Sequence, residues 1–183
     1  FNNHGKNLKK YNYLSSINIK SFPYIHDNLG LNYRLTEMQS ALGNYQLKKI
    51  NQWTKLRNRN ANYIINKVKD LKIETTPTIS KKFTHAFYKL YLTINPTHVK
   101  KGKNRSHIIK SLLDHGVNAS FGSSGRVFAE KAFKNVKTIP RNLPTSSSLE
   151  TNSIMLQVHP TISIKEIKET SSSLYKVLLS YQK

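Results

Sequence analysis

Residues 36–71 constrain this chain more than any other stretch. Apolar side chains recur at helical spacing from Met38 through Leu42, Tyr45, Ile50, Trp53, Leu56, Ala61, Ile64 and Val68 to Leu71, and the first following proline is Pro77. Thr36 and Gln39 have the Thr-x-x-Gln spacing of a capping box, which places the helix start at Thr36. One unbroken helix of this length extends roughly 50 Å. A bend is therefore expected, and Gly43-Asn44, the weakest helix-forming pair in the run, is the candidate position.

The remaining sequence reads as shorter pieces. Residues up to about Pro23 are polar and irregular, with Tyr11, Tyr13, Ile17, Ile19 and Phe22 suggesting extended segments. Strands are expected over 86–94, 117–121 and 154–158, where aromatic and β-branched residues concentrate. A helix over 104–115 would bury Ile108, Ile109, Leu112 and Leu113 and end at Gly116. Gly122-Ser123-Ser124-Gly125 reads as a turn, 129–133 as one or two helical turns, and 146–151 as another short piece. The last helix is the best signalled: Ser163 and Glu166 form a capping box, Ile162 and Ile167 a hydrophobic staple, and Ile164, Ile167, Leu174 and Leu178 a stripe. The fold class is therefore α/β, a long helix followed by a small domain with a few-stranded sheet.

Composition excludes several chemistries. The 183 residues contain no cysteine, so disulfides and thiolate metal sites are ruled out. Seven histidines show no zinc-type spacing, and nine acidic residues are too few for a dedicated metal cage. No apolar run approaches the roughly 20 residues of a membrane helix, and the N-terminus lacks a secretory core, so a soluble cytoplasmic protein is expected. The first methionine is Met38, which suggests that an upstream part is missing. Thirty Lys and Arg against nine Asp and Glu give a formal net charge of +21, which would attract polyanions. These charges are scattered, no nucleic-acid motif accompanies them, and Lys, Asn, Ile and Tyr are abundant together; compositional drift is the preferred reading over nucleic-acid binding.

Asn32 and Arg34 precede the N-terminus of the Thr36 helix, where backbone N–H groups and the positive dipole end favour anions. Gly30-Leu31-Asn32-Tyr33-Arg34 closely resembles the Gly-x-Asn-Tyr-Arg signature of the pyridoxal-phosphate sugar aminotransferases of the DegT/DnrJ/EryC1/StrS family. Asn3-His4-Gly5, His26-Asp27-Asn28-Leu29-Gly30, His85-Ala86-Phe87-Tyr88-Lys89, Arg105, Ala129-Glu130-Lys131-Ala132-Phe133 and Leu156-Gln157-Val158-His159-Pro160 follow in the family's order.

The resemblance implies the C-terminal part of a fold-type I aminotransferase: 1–35 from the large cofactor-binding domain, 36–71 an interdomain helix, and 72–183 the small domain. It implies pyridoxal 5′-phosphate as cofactor, with Asn32 and Arg34 at the cofactor phosphate of a neighbouring subunit in a homodimer. His26, His85 and Arg105 fall where the family meets its substrate, a keto-sugar on a nucleotide carrier, with an amino acid such as glutamate donating nitrogen. For Arg105, local pairing at a helix start is an alternative reading, and His159 before a proline reads as structural.

The family's chemistry also needs a lysine that condenses with the cofactor aldehyde, ahead of a Gly-Glu-Gly-Gly type turn, and an acid on the pyridine nitrogen. No such turn occurs here, and the family's order puts both groups upstream of Phe1. No catalytic residue is therefore assigned, and the segment alone is expected to be inactive. The alternatives are a pyridoxal-phosphate sugar dehydratase of the same fold, a basic nucleic-acid-binding module, and a decayed remnant.

Overall fold

The structure is a computed structural model that describes residues 7–16, 35–75, 82–122, 125–133, 135–136 and 142–183. Contacts divide the chain into two compact units, one ending at Lys49 and the other running over Ile50–Lys183.

In the first unit, α1 spans Leu8–Ser16. This corrects the expectation of extended segments around Tyr11 and Tyr13. Asn7 Oδ1 accepts from the Lys10 N–H at 3.1 Å, starting a helix in a stretch free of Gly, Pro and β-branched residues. Ile17, Ile19 and Phe22 lie outside the described residues. Helix α2 spans Glu37–Leu47 with Thr36 as its cap; Gln39 N–H donates to Thr36 Oγ1 at 3.2 Å and Thr36 N–H to Gln39 Oε1 at 3.0 Å.

The single helix expected over 36–71 is two. Helix α3 begins at Ile50, and the interruption falls at Lys48–Lys49 rather than at Gly43-Asn44. Lys49 N–H turns back to Gln46 O at 3.0 Å, a bond spanning three residues instead of four. The apolar pattern accounts for this place. Tyr45 to Ile50 is a five-residue step, which rotates the stripe well off its line, and Leu47 within the gap is exposed. Gly43 stays helical because a surface glycine weakens a helix by only about 1 kcal/mol.

The second unit holds the core. Helix α3 (Ile50–Val68) buries Asn60, Ala61, Ile64 and Val68 and packs on α6 (Ile164–Tyr181), which also covers α4 (Arg105–Asp114). Strands β1 (Glu74–Thr75), β2 (Leu90–Ile94), β3 (Ala119–Phe121) and β4 (Ser153–Leu156) form an antiparallel sheet in the order β1-β2-β4-β3. Leu90 pairs with Leu156 and Leu92 with Ile154, so one sheet face carries a row of fully buried side chains. Tyr91, Met155 and Ser120 line up across the other face and are half-buried. Each fully buried Leu or Ile contributes about 2 kcal/mol, so this unit has a core able to define its fold.

Several expectations need correction at element ends. The strand expected from Ala86 starts only at Leu90, because Phe87 adopts φ +40°, incompatible with extended backbone. Leu113 is exposed whereas Ile108, Ile109 and Leu112 are buried, and Ile164 is exposed whereas Ile167, Leu174, Val177 and Leu178 form the α6 stripe. Strands β3 and β4 are shorter than expected at one end. Residues 127–129 and 131–133 are two 3-10 turns, and helix α5 covers Pro144–Asn152.

The ends read at Gly116 and Ser163 hold, and the structure adds a cap at Asn104. Asn104 caps α4, Gly116 ends it at φ +74°, and Ser163 and Glu166 exchange their two capping bonds at the start of α6. Ser123 and Ser124 lie outside the described residues, but their flanking glycines are needed for space: a Cβ on Gly122 would meet Ser153 Cβ at 2.8 Å, and one on Gly125 would meet Ser146 O at 2.5 Å.

Candidate functional site

Among the five expected site residues, His26, Asn32 and Arg34 lie outside the described residues. His85 and Arg105 are described, and each sits in its own bonding network.

His85 belongs to a loop that α3 holds against the unit. Its carbonyl accepts from Asn58 Nδ2 at 2.7 Å, and the same amide also donates to Thr54 O at 2.9 Å. Two residues on, the Phe87 N–H donates to His85 Nδ1 at 2.9 Å, and the two rings lie with centroids 4.2 Å apart. Arg57 Nη1 then donates to Phe87 O at 3.3 Å and to Tyr88 O at 2.8 Å. Phe87 drops its ring into the core, 4% exposed, while His85 and Tyr88 stay at the surface. A left-handed conformation at a bulky residue costs about 1–3 kcal/mol and persists only where neighbours enforce it. Here the burial of Phe87 and the two α3 side chains do so.

Arg57 and Asn58 were not singled out in the sequence. A signal for Arg57 existed: it stands four residues after Trp53 and four before Ala61, a charged group in the apolar stripe.

Arg105, the first residue of α4, ties that helix to the sheet. Its Nη1 donates to the backbone carbonyls of Glu150 and Ser153, the latter at 3.1 Å, and the guanidinium lies 4.6 Å from the centre of the Phe121 ring. Arg105 Nε is buried without a hydrogen-bond partner. Burial pushes the Arg105 guanidinium below its ordinary pKa, and the nearby Glu150 carboxylate acts in the opposite sense. Glu150 itself pairs with Arg126 Nε at 3.3 Å. These bonds are the local pairing foreseen as the alternative for Arg105; they also leave it beside a cavity of about 180 Å³ shared with Lys103 and Asn152.

His159 is a backbone anchor. Its carbonyl accepts from the fully buried Asn60 amide at 3.1 Å, and its Nδ1 lies 2.8 Å from Thr161 Oγ1. It borders a larger cleft of about 590 Å³ between the end of α4, β4 and α6, which neither His85 nor Arg105 lines.

The fold is that of the sugar aminotransferases. A solved aminotransferase from Psychrobacter cryohalolentis superposes with a TM-score of 0.82 at 34% identity, covering 97% of this chain and 47% of that one. The E. coli GDP-4-keto-6-deoxy-D-mannose-3-dehydratase, solved with bound hydrated pyridoxal phosphate, shares the fold at a TM-score of 0.64 and 22% identity, over 84% of this chain and 38% of that one. The profile of the DegT/DnrJ/EryC1/StrS aminotransferase family matches residues 1–174, and the chain belongs to that family. In sequence it is 25% identical over 140 residues to the erythromycin biosynthesis sensory transduction protein EryC1 of Saccharopolyspora erythraea, which is 76% of this chain and 36% of that protein. The chain thus spans less than half the length of these relatives.

Proposed function

We propose that this chain is the C-terminal portion of a pyridoxal-phosphate aminotransferase that moves an amino group from an amino acid, with glutamate as the donor, to a nucleotide-linked keto-sugar. The single observation supporting this most is the family match across residues 1–174. In this reading residues 1–35 end the large domain, the two-piece helix of 36–71 links the domains, and 72–183 form the small domain. The working protein is a cytoplasmic homodimer.

The residues of this chain supply binding and orientation. Asn32 offers amide N–H donors to the cofactor phosphate without adding charge, and Arg34 adds a fixed cation, a donor set that suits a phosphate across the subunit boundary. His85 and Tyr88 on the α3-held loop meet the sugar nucleotide, with His26 and Arg105 as further contacts. The cofactor, when bound, supplies the electron sink on which the nitrogen is stored between half-reactions. The lysine and the acid that serve it are contributed from upstream, so residues 1–183 alone have no transaminase activity.

The test is to extend the chain upstream in its coding frame and to assay the extended protein for glutamate-dependent amination of a nucleotide keto-sugar. Amination that disappears with Asn32→Ala supports the reading; activity from residues 1–183 alone overturns the assignment of roles. The fold shared with the dehydratase keeps a second reading. It is favoured if the residue standing where the condensing lysine belongs is not lysine and the product is a deoxygenated sugar.

A further inference from the structure

The loop at His85–Tyr88 carries a strained residue, held in that shape by two adjacent α3 side chains as well as by its own burial. Phe87 is the only non-glycine residue with positive φ among the described residues. It is enforced from one helix turn: Asn58 holds the carbonyl of His85, and Arg57 holds those of Phe87 and Tyr88. Strain fixed by several independent bonds is a mark of a surface that must be presented in one shape.

Two consequences follow for the groups presented. The Phe87 N–H occupies His85 Nδ1, so the imidazole carries its proton on Nε2 and offers that N–H as its donor. Tyr88 is 73% exposed and has cations near its ring, Arg57 Cζ at 5.8 Å and Lys89 Nζ at 5.4 Å from the centroid. A largely exposed aromatic ring, the adjacent Lys89 cation and one fixed N–H donor match a nucleoside diphosphate, with the planar base at the ring and the diphosphate against Lys89.

We propose that Arg57 is a positioning residue: by gripping the carbonyls of Phe87 and Tyr88 it fixes the His85 tautomer and the Tyr88 ring for a nucleoside diphosphate carrier. This rests on the nucleotide-sugar reading above and names a determinant for it outside the loop that meets the ligand.

The experiment uses the 183-residue chain with uridine and thymidine 5′-diphosphate as probes. Nitrogen-15 spectra report the His85 tautomer, titrations report affinity, and thermal unfolding reports stability. In the unmodified chain His85 is expected as the Nε2–H tautomer, with either nucleotide shifting the His85 and Tyr88 signals. Arg57→Gln is expected to mix the tautomers and to weaken binding about tenfold, as for loss of a bond from a charged donor. Arg57→Lys, which keeps a cation within reach of the Tyr88 carbonyl, is expected to restore much of both. Should Arg57→Gln fail to fold, Asn58→Ala releases the loop at His85 and is read in the same way.

A lower unfolding midpoint with unchanged tautomer and affinity would make Arg57 merely structural and overturn the proposal. Absence of any nucleotide response in the unmodified chain would overturn the ligand assignment. The aminotransferase reading would still stand or fall separately, on amination by the upstream-extended protein.

Discussion

Helices α2 and α6 begin in the same way and end up in opposite surroundings. Each opens with a reciprocal capping box, Thr36 with Gln39 and Ser163 with Glu166. Helix α6 then buries Ile167, Ser171, Leu174, Val177 and Leu178, whereas α2 buries nothing and leaves Met38 85% exposed. Leu35, Leu42, Tyr45 and Leu47 are exposed with it. The cap decides where a helix starts; the partner decides whether its apolar side is covered. Within its own unit α2 has the sequence of a packed helix and the surroundings of a surface one.

The largest difference expected between them is in core truncation. Leu174→Ala should lower the stability of the Ile50–Lys183 unit by about 2–5 kcal/mol in urea unfolding. Met38→Ala in α2 should change it by less than about 0.5 kcal/mol. A matching loss at Met38 would mean that α2 packs within this chain after all. Next is Asn60, whose amide links α3 to the His159 carbonyl from a fully buried position. Asn60→Ala strands that carbonyl and should cost about 1–3 kcal/mol, read from the same urea curves.

Removing the caps sharpens the contrast at a smaller scale. Ser163→Ala should destabilise the second unit by about 1 kcal/mol. Thr36→Ala should fray α2, visible in amide exchange of residues 37–40, without shifting the main unfolding transition.

The smallest expected effect concerns pH. Bonds from the Ser163 hydroxyl and backbone N–H hold the Glu166 carboxyl below its ordinary pKa. A depressed acid stabilises the folded state above its unfolded pKa, about 4.3, and loses that contribution as pH falls through the lower folded value. A small acid-side decline in the α6 unit, absent in Glu166→Gln, is the expected result. The α2 box, closed by Gln39, should show no counterpart.

The parts of the fold that were readable from sequence are those set by local chemistry. The two capping boxes read at Thr36 and Ser163 rest on side chains bonding backbone three residues away, and both held. Which side of a stripe meets the core was less readable: Leu113 and Ile164 are apolar and fit the spacing, yet face outward. Only the tertiary arrangement of α4, α6 and the sheet distinguishes them from Leu112 and Ile167. The start of β2 was hidden for a different reason. Ala86 and Phe87 have strand-like chemistry, and the left-handed turn at Phe87 is imposed by Arg57 and Asn58, about thirty residues earlier in the chain. Family resemblance led to His85, and no local pattern led to the two α3 residues that shape it.

The placement of α6 also bears on synthesis. It is the last element of the second unit, and it is the one that lies over both α3 and α4. Asn60 waits for His159, and the Ile73 N–H waits for Gln182 Oε1 at 3.1 Å, partners separated by 99 and 109 residues. During synthesis α3 and α4 therefore emerge with the faces that α6 covers still bare, until the residues of α6 follow. During that interval the excess of lysine and arginine makes nascent chains repel one another, which keeps the uncovered helices apart until α6 arrives.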